Sequence, residues 1–327
     1  MTSRLVIAPN WIGDSVMAIP FVRALKRRFP ADRLTVLARR GPGSIFRAES
    51  SADDVHTREG FIADIAALRR EKANEVWLLP NSFRSALVAF LAGIPERIGY
   101  DTDRRGALLT HAVPPPPGTD HQLRDYDRLL RSRDIEPDLD APRLPLPAEA
   151  DRRARETLER AGLASSRLAL LAPGAAIGPT KQWLVERFGE LADRLRDRGF
   201  DCACVIGPNE RDLGARLSGA ARVPVPVLAS ELDPVELAAL LSRAKVLIGN
   251  DSGPMHLAGS VGTPVVAFFG PTDPGRTAPS GSPARILDRY VFCSPCFLKK
   301  CPYGHECMEE IEVADALKAV EEVLSSQ

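Results

Sequence analysis

Residues 245–270, KVLIGNDSGPMHLAGSVGTPVVAFFG, hold two apolar runs separated by a short helical segment that opens on an Asp-Ser-Gly-Pro turn. A strand, a helix and a second strand in this order make a unit of a parallel sheet. Pro254 suits the first helical turn, where its missing N–H costs little. The free N–H groups at that helix start, together with the helix dipole, favour an anion such as phosphate. Ligands of open α/β sheets bind beyond the carboxyl ends of the strands. Asp251, Ser252 and Gly253 are therefore candidates for a phosphate turn, and His256, in the first helical turn, can reach the same anion or a sugar hydroxyl. The structural alternative is that Asp251 and Ser252 only cap the helix and His256 lies on its surface.

Outward from this unit the same alternation covers the chain. RLALLAP (167–173) and CACVIG (202–207) precede it, and RLVIAPN (4–10), LTVLARR (34–40) and EVWLLP (75–80) repeat the pattern near the start. Helical segments lie between them, one ending near Phe29 and another at SALVAFLAG, so parallel strands with helical crossovers are expected. Pro20 disfavours helical angles at the residue before it, so the first helix is expected to begin only near Ile19 or Pro20. Between Val113 and Pro147 the proline-rich stretches PPPPG (114–118) and DLDAPRLPLP (138–147) interrupt the alternation around a helical segment, and this is the expected linker. Two α/β domains follow, residues 1–150 and 151–327, with VADALKAVEEVLSS (313–326) as an amphipathic helix on one of them.

A chain of 327 residues suits two domains of ordinary size. Hydrophobic residues make up 44% and charged residues 26%, the balance of a soluble globular protein. No apolar run reaches the ~18 residues that span a bilayer, and the amino terminus lacks a signal peptide's pattern, so a cytoplasmic protein is expected. The formal net charge of zero gives no reason to expect nucleic acid as a partner. The charge is uneven, however: residues 1–50 carry nine Lys plus Arg against three Asp plus Glu. Arg23, Lys26, Arg27 and Arg28 cluster on one expected helix. They suit either an anionic partner or a solvated helix end whose cations complement the dipole.

Two further stretches carry chemistry. PGAAIGPTKQW (173–183) follows a strand directly; its glycines, Gly174 among them, free the backbone for close approach to a ligand, and Lys181 beside Thr180 supplies a mobile positive charge. It lacks the GK pair of a nucleotide-hydrolysing P-loop, and no G-x-G-x-x-G follows a strand in either half. NWIGDSVM (10–17) places Asp14 where the first strand turns into a helix, either as a cap or as a catalytic acid. Near the end, Cys293, Cys296, Cys301 and Cys307 follow the spacing C-x2-C-x4-C-x5-C, with His305 among them. Structural zinc, disulfide or redox pairing, and reduced thiols are all compatible with so compact a run. Cys202 and Cys204 read as buried strand residues.

Taken together and in order, NWIGDSVM, GPTKQW, GNDSGPMHLAG and CSPCFLKKCPYGHEC resemble the ADP-heptose:lipopolysaccharide heptosyltransferases, members of glycosyltransferase family 9, and NWIGDSVM is closer to the heptosyltransferase II type. The resemblance implies a GT-B fold, in which two Rossmann-like domains with parallel sheets face each other across a cleft. It also implies an ADP-heptose donor on the second domain, an inner-core lipopolysaccharide acceptor on the first, and inversion at the anomeric carbon with no cofactor required. By motif, Asp14 matches the family's proposed catalytic base and Lys181 a diphosphate contact, with Thr180 and Gly174 beside it. Asp251, Ser252, Gly253 and His256 match the donor-binding helix start. Asn10, Trp11, Arg23 and Lys26 fall on the acceptor side, and peripheral contact with the inner leaflet of the inner membrane would follow from such an acceptor. The cysteine-rich segment occurs in only part of the family, so structural zinc there transfers least. Two other readings remain: a related transferase using a different nucleotide sugar, and a nucleotide-binding protein with no activity.

Overall fold

A computed structural model of the protein describes residues 2–163, 167–176, 178–228 and 232–325. Ile177, within the second glycine-containing loop, and Ser326, at the end of the expected last helix, lie outside the described residues. The chain divides into two units, Met1–Pro145 and Leu146–Gln327.

The first unit holds six parallel strands: β1 (Ser3–Ile7), β2 (Arg33–Ala38), β3 (Asp54–Thr57), β4 (Glu75–Leu78), β5 (Glu96–Tyr100) and β6 (His111–Val113). Their order across the sheet is β3-β2-β1-β4-β5-β6. Order therefore reverses between β1 and β4, the switch point at which such sheets leave a crevice beyond their carboxyl ends. The second unit repeats the plan with β7 (Leu168–Ala172), β8 (Asp201–Val205), β9 (Val227–Leu228), β10 (Val246–Asn250), β11 (Val265–Phe269) and β12 (Ala284–Asp288), ordered β12-β11-β10-β7-β8-β9. Its switch point lies between β7 and β10. Both sheets have the strand order of a Rossmann fold.

Central strands such as LALLA, VLIGN and VVAFF are buried along their whole length, because helices cover both faces of a parallel sheet. In the first unit Phe21 packs edge-on against both Trp77 and Tyr126. Tyr126 belongs to helix Gln122–Arg131, so the stretch expected to be a linker places a helix in the core, with Leu129 and Leu130 beside Tyr126. Amphipathic spacing outweighs the flanking prolines there. In the second unit Trp183 stacks on Phe268 with ring centroids 4.3 Å apart and meets Phe188 edge-on. The last helix, Val313–Ser325, buries Val313, Ala316, Leu317, Val320 and Val323 against this unit.

The first helical segment does not wait for Pro20. Helix Ile12–Met17 forms first, Ala18 interrupts it, and helix Ile19–Arg28 continues with Pro20 inside its first turn. The break falls at Ala18, while Ile19, the residue before the proline, is itself helical, so the packing of this segment overrides the local restriction. Among the described residues no helix is long and apolar enough to cross a membrane.

Candidate active site

In the first unit the chain leaves β1 at the switch point and turns through Asn10 and Trp11 into helix Ile12–Met17. Trp11 is the residue that begins the helix, and it makes no capping bond through its side chain. Asp14 stands inside the first turn and is not the cap. Gln122 Nε2 donates to Asp14 Oδ1 at 3.2 Å, and the same nitrogen donates to the Tyr126 hydroxyl at 3.1 Å. Tyr126 Oη donates in turn to the main-chain carbonyl of Asp14 at 3.5 Å. Burial, and then the charge of Asp14, push the Tyr126 phenol well above its ordinary value, so it stays a neutral donor. A half-buried carboxylate is thus oriented by a side-chain amide from a helix more than a hundred residues away.

Around this turn Arg58 Nη1 donates to Asn10 Oδ1 at 3.0 Å while its Nε donates to the buried Asp64 at 3.2 Å. Trp11 is 48% exposed. Arg105, wholly buried, steadies the loop after β4: its Nε donates to Tyr100 O at 2.8 Å, and its Nη1 reaches Pro80 O and Ser85 Oγ. Burial lowers this guanidinium to about 10. Arg23 and Lys26 do not join Asn10 and Trp11. Arg23 Nε pairs with the buried Glu49 at 2.8 Å, and Lys26 Nζ pairs with Asp53 at 2.7 Å. Their charges are paired within the unit. Lys26, Arg27 and Arg28 fill the last turn of their helix, where they complement its dipole.

In the second unit the loops after β7, β10 and β11 converge. Lys181 Nζ lies 2.6 Å from Asp251 Oδ2, with side chains only 13% and 5% exposed. Thr272 Oγ1 donates to the same Asp251 oxygen at 2.8 Å. The lysine is therefore pinned on a buried carboxylate, not mobile as its loop position suggests. Ser252 begins helix Gly253–Ser260, and its Oγ is buried with no hydrogen-bond partner among the described residues. A hydroxyl at a helix start can donate to an anion held there, alongside the free N–H groups of the first turn. His256 is only 6% exposed, so it is not the surface residue of the structural alternative.

Asn250, which the sequence reading passed over, braces this assembly. Its Nδ2 donates to Pro173 O at 2.8 Å, and its Oδ1 accepts from Trp183 N at 2.9 Å. One amide thus ties both ends of the Lys181 loop to β10. Each buried group left unpaired costs about 1–3 kcal/mol, so Asn250→Ala is expected to lower stability by about 3 kcal/mol in urea unfolding and to weaken donor use. A loss below about 0.5 kcal/mol would remove Asn250 from this role.

Two donor-side residues serve the loop itself. Gly174 lies against Glu210: a Cβ there would fall 2.1 Å from Glu210 Oε2, so the glycine makes room for a carboxylate. Thr180 is buried, and its Oγ1 donates to Leu298 O at 2.7 Å. His305 Nε2 donates to Thr180 O at 2.8 Å. The cysteine-rich segment is therefore fastened to the Lys181 loop.

All six cysteines are free thiols. Among the described residues no group of three or more His, Cys, Asp or Glu side chains is placed to hold a metal ion. Cys307 is drawn into the core with Met308 and Ile311 and packs against Gly270. Burial, then the nearby thiols, raise Cys307 to about 11, and burial raises Cys202 and Cys204 to about 12. The thiolate is the reactive form. At pH 8 a thiol reagent is expected to label Cys293, Cys296 and Cys301 quickly and the other three only after unfolding. Peptide mapping checks this, and rapid labelling of Cys202 in the native protein would contradict it.

The sequence pattern of glycosyltransferase family 9 (heptosyltransferase) matches residues 63–306. Lipopolysaccharide heptosyltransferase 2 of Escherichia coli K12 is 30% identical over 305 residues, covering 86% of this chain and 87% of the relative. Lipooligosaccharide heptosyltransferase 2 of Haemophilus influenzae is 26% identical over 304 residues, with the same coverage. The solved structure of E. coli ADP-heptose lps heptosyltransferase II superimposes with a TM-score of 0.84 at 26% identity, covering 100% of this chain and 99% of that one. A family pattern matched over most of the sequence, and a relative at 30% identity along nearly all of it, lead to one assignment: the chain belongs to glycosyltransferase family 9, the heptosyltransferases.

Proposed function

We propose that the protein is an inverting heptosyltransferase of the heptosyltransferase II type, transferring heptose from ADP-heptose to the inner core of lipopolysaccharide. The observation that carries this reading is the Lys181 ammonium held on Asp251, the residue just before the helix start at Ser252 and Gly253 that follows β10. Together they offer a cation, a hydroxyl and a helix start to a diphosphate. The second unit is then the donor side and the first the acceptor side, with Asn10 and Trp11 toward the acceptor.

In the reaction the acceptor hydroxyl attacks the anomeric carbon of the heptose, and its proton passes to the Asp14 carboxylate. The bond from that carbon to the β-phosphate oxygen breaks, and ADP leaves with the electron pair. Lys181, Ser252 and the helix start at Gly253 stabilise the growing charge, and no step passes through a metal ion. A single displacement of this kind inverts the configuration. The acceptor is carried on a lipid, so the protein works at the cytoplasmic face of the inner membrane in peripheral contact with it.

The test is ADP release by the full chain with ADP-heptose and an inner-core acceptor, compared with other ADP- and UDP-sugars. ADP-heptose is expected to be preferred by about tenfold or more in kcat/KM. Equal use of a UDP-sugar would favour the related transferase, and no release with any donor would leave a nucleotide-binding protein.

A further inference from the structure

Large apolar side chains left in solvent are ordinarily scattered singly. Here five of them, Tyr290, Phe292, Phe297, Leu298 and Tyr303, stand together in one segment of the second unit, 45% to 81% exposed. Lys299 and Lys300 are exposed among them. Phe292 and Tyr303 meet edge-on with centroids 4.9 Å apart. The segment carrying them is fixed from beneath: Phe297 N donates to Pro271 O at 2.8 Å, Ser294 Oγ to Gly270 O, and Thr180 Oγ1 to Leu298 O. The acids at its margin include Asp288, bonded to the Tyr290 hydroxyl, Asp273, whose charge also reaches Tyr290, and the exposed Glu306.

We propose that this aromatic and lysine patch, residues 290–303, is the surface by which the protein docks on an anionic phospholipid bilayer. The inference deepens the reading that the acceptor is lipid-borne. Tyrosine and lysine join an apolar body to a polar tip, and both settle at a boundary where one end is dry and the other wet. Phenylalanine and leucine enter the acyl margin, while the two ammonium groups meet lipid phosphate. Charge separates this partner from a second copy of the chain. A two-fold contact sets the same patch against itself and brings Lys299 and Lys300 of both copies together.

The test is sedimentation of the full chain with vesicles of phosphatidylethanolamine and phosphatidylglycerol at 3:1, and with vesicles of phosphatidylcholine alone. The unaltered protein is expected to partition onto the anionic vesicles and to bind phosphatidylcholine weakly. One lysine near an anionic surface is worth about fivefold in partitioning, so Lys300→Glu combined with Tyr290→Ser and Phe292→Ser is expected to weaken binding by more than about tenfold. An unchanged melting temperature and an unchanged shift with ADP show that the variant is folded. Equal vesicle binding by variant and parent, or no binding by the parent, overturns the proposal, as does a concentration-dependent dimer that the variant alone loses. Turnover of ADP-heptose is measured separately: lost vesicle binding in a variant of a protein that never uses ADP-heptose would sink the transferase reading and leave the docking surface standing.

Discussion

Asp14→Asn is expected to lower kcat by about 10²–10⁴ while leaving the fold and the binding of ADP in place, because the variant removes a proton acceptor and keeps the shape of the side chain. Asparagine keeps an oxygen at the position of Oδ1, so the bond from Gln122 Nε2 survives. The Tyr126 hydroxyl reaches the main-chain carbonyl, which the substitution does not touch. Nor is a helix cap lost, since Trp11 occupies that position. Steady-state turnover, a melting curve and an ADP titration on the same preparation separate chemistry from folding and donor binding. A kcat within about threefold of the parent would take Asp14 out of the reaction. Gln122→Ala gives the companion result: a smaller fall in kcat with the carboxylate still present, as expected of a residue that orients the base.

The parts of the fold that were legible are those where a parallel sheet is covered on both faces. β7 and β11 are continuous apolar runs for that reason, β10 is one up to its final Asn250, β1, β2, β4 and β8 are mostly apolar after a polar first residue or two, and each stands out in the sequence. The strands toward the sheet margins do not. β3 is DVHT, β6 is three residues long and β9 two, and β12 is only partly buried throughout. Helix Gln122–Arg131 was legible between its flanking prolines, but its place in the core of the first unit was not.

The site divides in the same way. Asp14, Lys181, Asp251 and Ser252 lie at strand ends followed by turn residues, and turn chemistry is local. What holds them is not local. Gln122 meets Asp14 across 108 residues of sequence, and Trp183 meets Asn250 across 67. Asn250 gave one signal, a polar side chain closing an apolar strand ahead of a phosphate-type turn, and it is wholly buried. Arg23 and Lys26 show the same limit. A basic cluster in sequence carries no record of Glu49 and Asp53, which neutralise it in space.

The second large effect concerns Lys181, and its interpretation depends on Asp251. In the proposed reaction Lys181→Met removes the cation that would face the departing diphosphate, and loss of one such preorganised group costs roughly 10²–10³ in kcat. It also strands the carboxylate of Asp251, which is 5% exposed and keeps, among the described residues, the hydroxyl partners Thr272 at 2.8 Å and Thr277 at 3.5 Å. Breaking a buried pair on one side costs about 3–5 kcal/mol, so the single variant is expected to unfold early and to lose activity for two reasons at once. Lys181→Met combined with Asp251→Asn separates them. The neutral amide needs no counter-charge, so urea unfolding of the double variant should recover most of the lost stability, while kcat stays down and the stabilisation by ADP remains weak. Recovery of turnover along with stability would mean that Lys181 serves the fold alone and that the diphosphate is held by other groups.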